Sequence, residues 1–232
     1  MERLIDCVEL LDGPLDIPTL RQNLRDLARI NRLLGGNELT WRVIEPLVGA
    51  AESSLKLLDV GTGLADLPRA LAARLARAGS TLNVVATDVR PEIVGLAREA
   101  SRSDDNVRVD LIEAGPLPYA DREFDIAHAS LVLHHLEPEA AVGLLREMAR
   151  VSRTAVVVND LDRRRRWWVG AWLMGHLLTG NRYTRHDGAL SVRRAYRPDE
   201  LIEMAATAGL REVARCWARP RYRYAIQFVH ED

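Results

Sequence analysis

The sequence predicts an α/β protein: a mostly parallel sheet of seven strands, helices on both faces, and a helical cap. Three observations carry this. Short apolar runs alternate with amphipathic stretches from residue 55 to 160, as in a parallel sheet with helical crossovers. A bare turn, Gly61-Thr62-Gly63, follows the first apolar run and opens a helix-like stretch. Two more strand-like runs, REVARCWAR and YRYAIQFVH, close the chain around a tight turn at Pro220.

Taken in order, each element has its own warrant. In residues 17–34, Leu20, Leu24, Leu27, Ile30 and Leu34 recur at helical spacing, and Gly35-Gly36 stops the run as a hinge before a second helix from about Glu38 to Ala50. LKLLDV is a short buried strand. Residues 65–78, rich in Ala, Leu and Arg, form a helix ended by Gly79. TLNVVATD is a strand ending in Asp88, and PEIVGLAREA a helix with Pro91 in its first turn. NVRVDLIEA and FDIAHASLV are strands, EPEAAVGLLREMARVS a helix, and TAVVVND a strand. Residues 161–197 break the rhythm with RRRRWWVGAWLMGHLL and a polar stretch expected to be irregular, with Asp187-Gly188 suited to a turn. PDELIEMAATAGL is the last helix. The expected plan is an N-terminal helical cap over 1–50 and a main domain over 51–232 carrying an insertion at 161–197.

Composition removes several function classes. A formal net charge of -1 over 232 residues gives no bulk attraction to nucleic acid, and no nucleic-acid partner is expected. Cys7 and Cys216 lie far apart, so neither a disulfide framework nor a metal-ligand spacing is read, and no metal is expected. The start, MERLIDCVELLDGP, is acidic and lacks a secretory pattern, and no apolar run reaches the ~18 residues of a membrane span. A cytoplasmic monomer or homodimer is the expectation.

The glycine turn narrows the ligand. Gly61 and Gly63 let a ligand approach the backbone at the carboxyl end of the first strand. A dinucleotide fingerprint would place a third glycine where Asp66 stands, and an acid there repels a pyrophosphate. Asp59 adds a second carboxylate before the turn, so the site favours an ammonium or sulfonium. Asp88, ending the second strand, suits a ribose diol.

These residues bring a resemblance into view. D-V-G-T-G-L-A-D, then VVATDV, then EAGPLPYADREFDIAHASLVLHHLEP, resembles the class I S-adenosylmethionine-dependent methyltransferases, in the small-molecule branch related to ubiquinone and menaquinone biosynthesis. The resemblance covers about residues 50–160. It implies a Rossmann-like sheet and S-adenosyl-L-methionine as cofactor, with Asp59, Gly61, Thr62 and Gly63 flanking the methionine part. It also implies that Asp88 holds the ribose hydroxyls, Val89 packs on adenine, and Ala129 and Ser130 lie under the sulfonium end. Glu113 departs from the branch's usual Asp, leaving the backbone of Ala114 as the firmer adenine contact. A second stretch, NDLDRRRRWW through RHDGALSVRRAYRPDEL, resembles methyltransferases of bacterial polyketide pathways and implies an aromatic or phenolic acceptor.

Methyl transfer to a hydroxyl benefits from a base, and three residues are candidates for the acceptor end. His134, the first of the His134-His135 pair, follows the fourth strand; its competing role is structural, capping or packing. His186 is a base or an anchor, or else part of a surface turn. Asp160, ending the fifth strand, orients a base or binds an acceptor hydroxyl, or else caps the next helix. His128, inside its strand, reads as a core or cofactor-shell residue. Trp167, Trp168, Trp172 and Met174 either line a greasy acceptor pocket, lie in a membrane interface behind the four arginines, or form plain core. The expected function is methyl transfer to a small, apolar phenolic, polyketide or quinone-like acceptor, oxygen favoured over carbon. Peripheral membrane contact is the lesser alternative for the insertion. The rival functions are a non-catalytic cofactor-binding protein and a nicotinamide-dependent reductase; Asp66 and the lack of a Tyr-x-x-x-Lys pair speak against the latter.

Overall fold

The computed structural model describes residues 1–5, 7, 9–48, 54–178 and 181–231, with the backbone alone at 174–176, 178 and 184. The strands are β1 (Ser54–Val60), β2 (Thr81–Asp88), β3 (Val107–Leu111), β4 (Phe124–Ser130), β5 (Ser152–Leu161), β6 (Leu210–Trp217) and β7 (Arg223–His230). They form one seven-stranded sheet in the order β3-β2-β1-β4-β5-β7-β6. β1 to β5 pair in parallel, and β7 runs antiparallel between β5 and β6. The strand order reverses between β1 and β4, and the crevice at their carboxyl ends is where such sheets hold ligands.

The helices are α1 (Ile17–Leu33), α2 (Gly36–Val48), α3 (Asp66–Arg77), α4 (Pro91–Ala100), α5 (Pro138–Val151), α6 (Arg165–Leu178), α7 (Arg182–Arg194) and α8 (Pro198–Thr207). Alternation along β1 sends Leu58 and Val60 to one face and Leu55 and Leu57 to the other. The first face packs on Leu145 and Met148 of α5 and Leu201 of α8. The second packs on Trp41 of α2, Leu71 and Leu75 of α3, and Val94 of α4. No described helix is long and apolar enough to cross a membrane.

Two expectations need correction. The polar stretch after residue 180 is the helix α7: Asn181 caps it by accepting the Tyr183 N–H, and Asp187, Ser191 and Val192 are buried along it. Asp187-Gly188 is therefore no turn. The Asp187 carboxylate accepts the N–H groups of Leu10 and Leu11, both at 2.9 Å, instead of serving its own backbone. The Gly35-Gly36 hinge is also no free joint, because Gly36 is buried. The end of the second helix expected at Ala50 lies outside the described residues.

Gly36 is packed against a buried polar seam. Arg223 donates from Nε to Asn159 Oδ1 at 2.5 Å, from Nη1 to Asn31 Oδ1 at 2.6 Å, and from Nη2 to Ser130 Oγ at 2.7 Å. Asn159 in turn donates to the Gly36 carbonyl and to Thr40 Oγ1. A Cβ on Gly36 would lie 1.8 Å from Asn31 Oδ1 and 2.6 Å from Arg223 Nη1. Both neighbours are held by hydrogen bonds, so they cannot swing away freely. Gly36→Ala is expected to cost about 1–3 kcal/mol, read as a lowered midpoint in urea unfolding.

Candidate active site

The turn after β1 is built from left-handed backbone. Gly61 has φ 67°, Gly63 φ 58° and Ala65 φ 55°. The two glycines serve different needs. A Cβ at Gly61 would meet Val132 Cγ2 at 2.5 Å, so this glycine allows the turn to pack on the segment after β4. A Cβ at Gly63 would have no atom within 4 Å; its bareness faces open space. The turn is tied to β2 by the Thr62 N–H on the Thr87 carbonyl at 2.8 Å and the Gly63 N–H on Asp88 Oδ2 at 3.3 Å.

Asp88 is buried and also accepts the Arg90 N–H at 3.1 Å. Burial raises its carboxyl above the ordinary range, and these backbone donors restrain the rise. Val89 beside it is 52% exposed, a bare apolar side chain at the rim of the crevice. Glu113 and Ala114 are exposed beyond β3. Ala129 is buried at the end of β4, and Ser130 Oγ accepts from Arg223. Of the two acids expected to face a cation, Asp59 is engaged elsewhere: its Oδ1 lies 2.5 Å from His128 Nδ1 in a buried pair. Asp66 is raised by burial, and its hydrogen bond with Asn31 works against that.

At the ends of β4 and β5 the structure brings His134 and Asp160 together. His134 Nδ1 lies 2.7 Å from Asp160 Oδ1, the His134 N–H lies 3.3 Å from Oδ2, and both residues are buried. Burial alone would raise the Asp160 carboxyl, but His134, the Leu161 N–H and Arg223 outweigh it and hold it below the ordinary range. An ionised Asp160 fixes the proton on His134 Nδ1 and leaves a lone pair on Nε2. That nitrogen faces the N-terminal segment, 3.8 Å from Glu9 Oε1. Leu131, between β4 and this pair, is a non-glycine residue at φ 58°. Backbone strain of this kind collects at functional sites.

A methyltransferase domain model matches residues 57–155, which span the glycine turn, Asp88 and the His134 segment. Residues 57–155 are matched as a methyltransferase domain, and this match with the likenesses below supports a class I S-adenosylmethionine-dependent enzyme. It is 26% identical over 192 residues to the ubiquinone/menaquinone biosynthesis C-methyltransferase of Cupriavidus metallidurans, covering 77% of this chain and 76% of that protein. Among solved structures, a methyltransferase from Aquifex aeolicus superposes with TM-score 0.66 at 21% identity, covering 93% of this chain and 98% of that one. Magnesium protoporphyrin IX methyltransferase from Synechocystis, solved with S-adenosylhomocysteine, gives TM-score 0.60 at 17% identity, covering 95% and 91%. A [4+2]-cyclase gives TM-score 0.56 at 19% identity, covering 78% and 61%.

The residues of the methyltransferase fit an S-adenosyl group on local grounds. Gly63 leaves room for it, Asp88 offers carboxylate oxygens at the strand end, and Val89 offers an apolar face. His186 does not join the His134–Asp160 pair. Its side chain is 53% exposed on α7, with Nδ1 2.9 Å from Asp187. The tryptophans do not all close over a cavity either: Trp172 is 48% exposed and Leu177 71%, while Trp167 and Trp168 are half-buried. The side chain of Met174 lies outside the described residues.

Reading the sequence missed Glu9, Asp12, Arg194 and Arg223. Arg194 and Asp187 help dock a single 3-10 turn, Leu10–Asp12, against the His134 segment. The only signal was the run of acids and leucines in VELLDG, which has no periodicity to place it. The glycine assignments separate in experiment. Gly63→Ala is expected to weaken S-adenosylhomocysteine binding more than it lowers stability. Gly61→Ala, which adds a clash to an unfavourable φ, loses about 2–4 kcal/mol of stability as well. Asp88→Ala raises the Kd for S-adenosylhomocysteine about 10- to 100-fold by calorimetry, since it removes charge-assisted acceptors.

Proposed function

We propose that this methyltransferase moves a methyl group from S-adenosyl-L-methionine to a small, apolar, hydroxylated acceptor of phenolic, polyketide or quinone-like type, oxygen favoured over carbon. The carrying observation is the buried His134–Asp160 pair at the carboxyl edge of the sheet. S-adenosylmethionine supplies an electrophilic methyl carbon, whose bond to sulfur breaks as the bond to the acceptor forms, leaving the thioether. The protein must hold that line and ionise the acceptor. Asp160 fixes the tautomer of His134, and the Nε2 lone pair ionises the acceptor hydroxyl. The turn from Gly61 to Gly63, with Asp88, Val89, the Ala114 backbone, Ala129 and Ser130, holds the donor. The exposed apolar face of α6, with Val169, Trp172, Leu173 and Leu177, supports an apolar acceptor.

The C-methyltransferase of Cupriavidus metallidurans is named for carbon transfer. A carbon beside a phenol or enol needs the same deprotonation, so the pair serves either atom; NMR of the product distinguishes them. The [4+2]-cyclase likeness keeps a second reading in play, a cofactor-binding protein that transfers nothing.

Thermal stabilisation by S-adenosylhomocysteine and not by NADH is the first expected result. Turnover on a phenolic panel is the second. His134→Ala is expected to lower kcat about 10²- to 10⁴-fold with the Kd for S-adenosylhomocysteine unchanged. No turnover across phenols, polyketide fragments and quinols, despite tight cofactor binding, would move the protein to the second reading.

A further inference from the structure

The N-terminal turn and the His134 segment leave three ligand-type side chains facing one another. Among the described residues, Glu9, His134 and His135 each offer an atom, all within 4.8 Å of one another. Glu9 and His134 are buried. His134 Nε2 and Glu9 Oε1 stand 3.8 Å apart, too far for a hydrogen bond. Two ligands of a tetrahedral ion with bonds of about 2.1 Å lie about 3.4 Å apart, so a small closing movement suffices.

The surroundings are those of a metal ligand set. Asp160 accepts from His134 Nδ1 at 2.7 Å, the carboxylate–imidazole support that orients a metal-binding histidine through its far nitrogen. Ser191 Oγ donates to Glu9 Oε1 at 2.8 Å and fixes that carboxylate. Asp12 Oδ2 lies 3.3 Å from His135 Nδ1. Charge favours a cation too. The carboxylates here are Glu9, Asp12, Asp160 and Asp187, and the guanidiniums acting on them are Arg194 and Arg223. Arg194 Nη1 stays 4.0 Å from Glu9 and 3.7 Å from Asp12 and makes no hydrogen bond to either.

We propose that Glu9, His134 Nε2 and His135 bind a divalent transition ion, of which zinc is the chemical type, with a coordination position left for an oxygen ligand. Two imidazoles and one carboxylate make a nitrogen-rich set that suits Zn²⁺ over Mg²⁺ or Ca²⁺. The inference rests on the function above only for what the open position does: a hydroxyl coordinated there would be acidified by the metal and would release its proton to solvent water, so that His134 Nε2, held as a ligand, would not itself be the base. The ion itself would bind whether or not a phenol is the acceptor.

The full-length protein should be stripped with chelator and titrated with Zn²⁺, with metal content read by mass spectrometry and Co²⁺ used as the spectroscopic probe. One equivalent is expected, with the visible absorption of a low-coordinate Co²⁺ site. Glu9→Gln and His135→Gln should each weaken binding about 100-fold or more, and Asp160→Asn about 10- to 100-fold, whereas His186→Gln leaves it unchanged. Melting temperatures and S-adenosylhomocysteine binding report whether each variant folds. Lack of a saturable site in the wild-type protein, or Zn²⁺ binding that survives both Glu9→Gln and His135→Gln, overturns the proposal. If the chelated enzyme takes up no zinc on titration and still methylates phenols at full rate, His134 acts without a metal: the proposal fails and the function stands. If zinc binds as described but no phenolic acceptor is turned over, the site stands and the acceptor class falls.

Discussion

A buried guanidinium holds the carboxyl edge of the sheet in register with the helices that cover it. Arg223 reaches from β7 to Asn159 on β5, Ser130 on β4 and Asn31 on α1. Burial pushes its pKa down, with Tyr222, Asp160 and Asp66 pulling it back. A guanidinium stays charged even so, and a charge that cannot be neutralised must be fully bonded. That requirement brings the ends of three strands and one helix to a single point. The cofactor turn lies on one side of that point, through the Ser130 end of β4. The His134–Asp160 pair lies on the other, one residue beyond Asn159. Removing the cation would leave Asn159 and Asn31 without their donor and loosen both sides together.

The two sides differ in how they are encoded. The cofactor turn is local. Gly61, Gly63, Asp66 and Asp88 occupy two consecutive strand-to-helix junctions, and their meaning follows from backbone freedom and charge alone. The alternation of strands and helices from β1 to β5 was readable for the same reason, because each element buries one face or two with its own period. The proposed acceptor side is assembled from the 3-10 turn Leu10–Asp12 and its preceding Glu9, the segment after β4, the end of β5, and α7. Its residues meet only through tertiary packing, and no spacing along the chain records that.

Particular residues show what tertiary packing adds to the reading. His186 looked chemical because a histidine, an acid and a glycine stood together. Once α7 forms, its side chain points outward and Asp187 takes the structural task of capping two N–H groups of the N-terminal turn. Asp59 reads as a pocket carboxylate, and β1 and β4 pair it opposite His128, whose Nδ1 lies 2.5 Å from Asp59 Oδ1. His134 and Asp160 were legible as strand-end residues. That they touch was not, since it depends on β4 and β5 being neighbours in parallel register, Ala129 against Val158 and Ser130 against Asn159.

The fold by itself does not commit the chain to methyl transfer, because a [4+2]-cyclase shares it. The proposed transfer chemistry rests instead on a buried, ionised carboxylate placed behind an imidazole at the same sheet edge as the glycine turn. Burying Asp160 is costly, and nothing in the packing of β5 demands an acid there: the strand residues before it, Val156, Val157 and Val158, are apolar core. The cost is offset by His134, the Leu161 N–H and Arg223, which together keep the carboxylate ionised. His134 Nε2 points at Glu9, a second buried acid, in place of an apolar neighbour. The imidazole thus has a carboxylate facing each of its ring nitrogens, Asp160 at Nδ1 and Glu9 at Nε2. In the function proposed, that arrangement serves an acceptor oxygen as it loses its proton, whether to Nε2 or, with a metal ion at Nε2, to solvent.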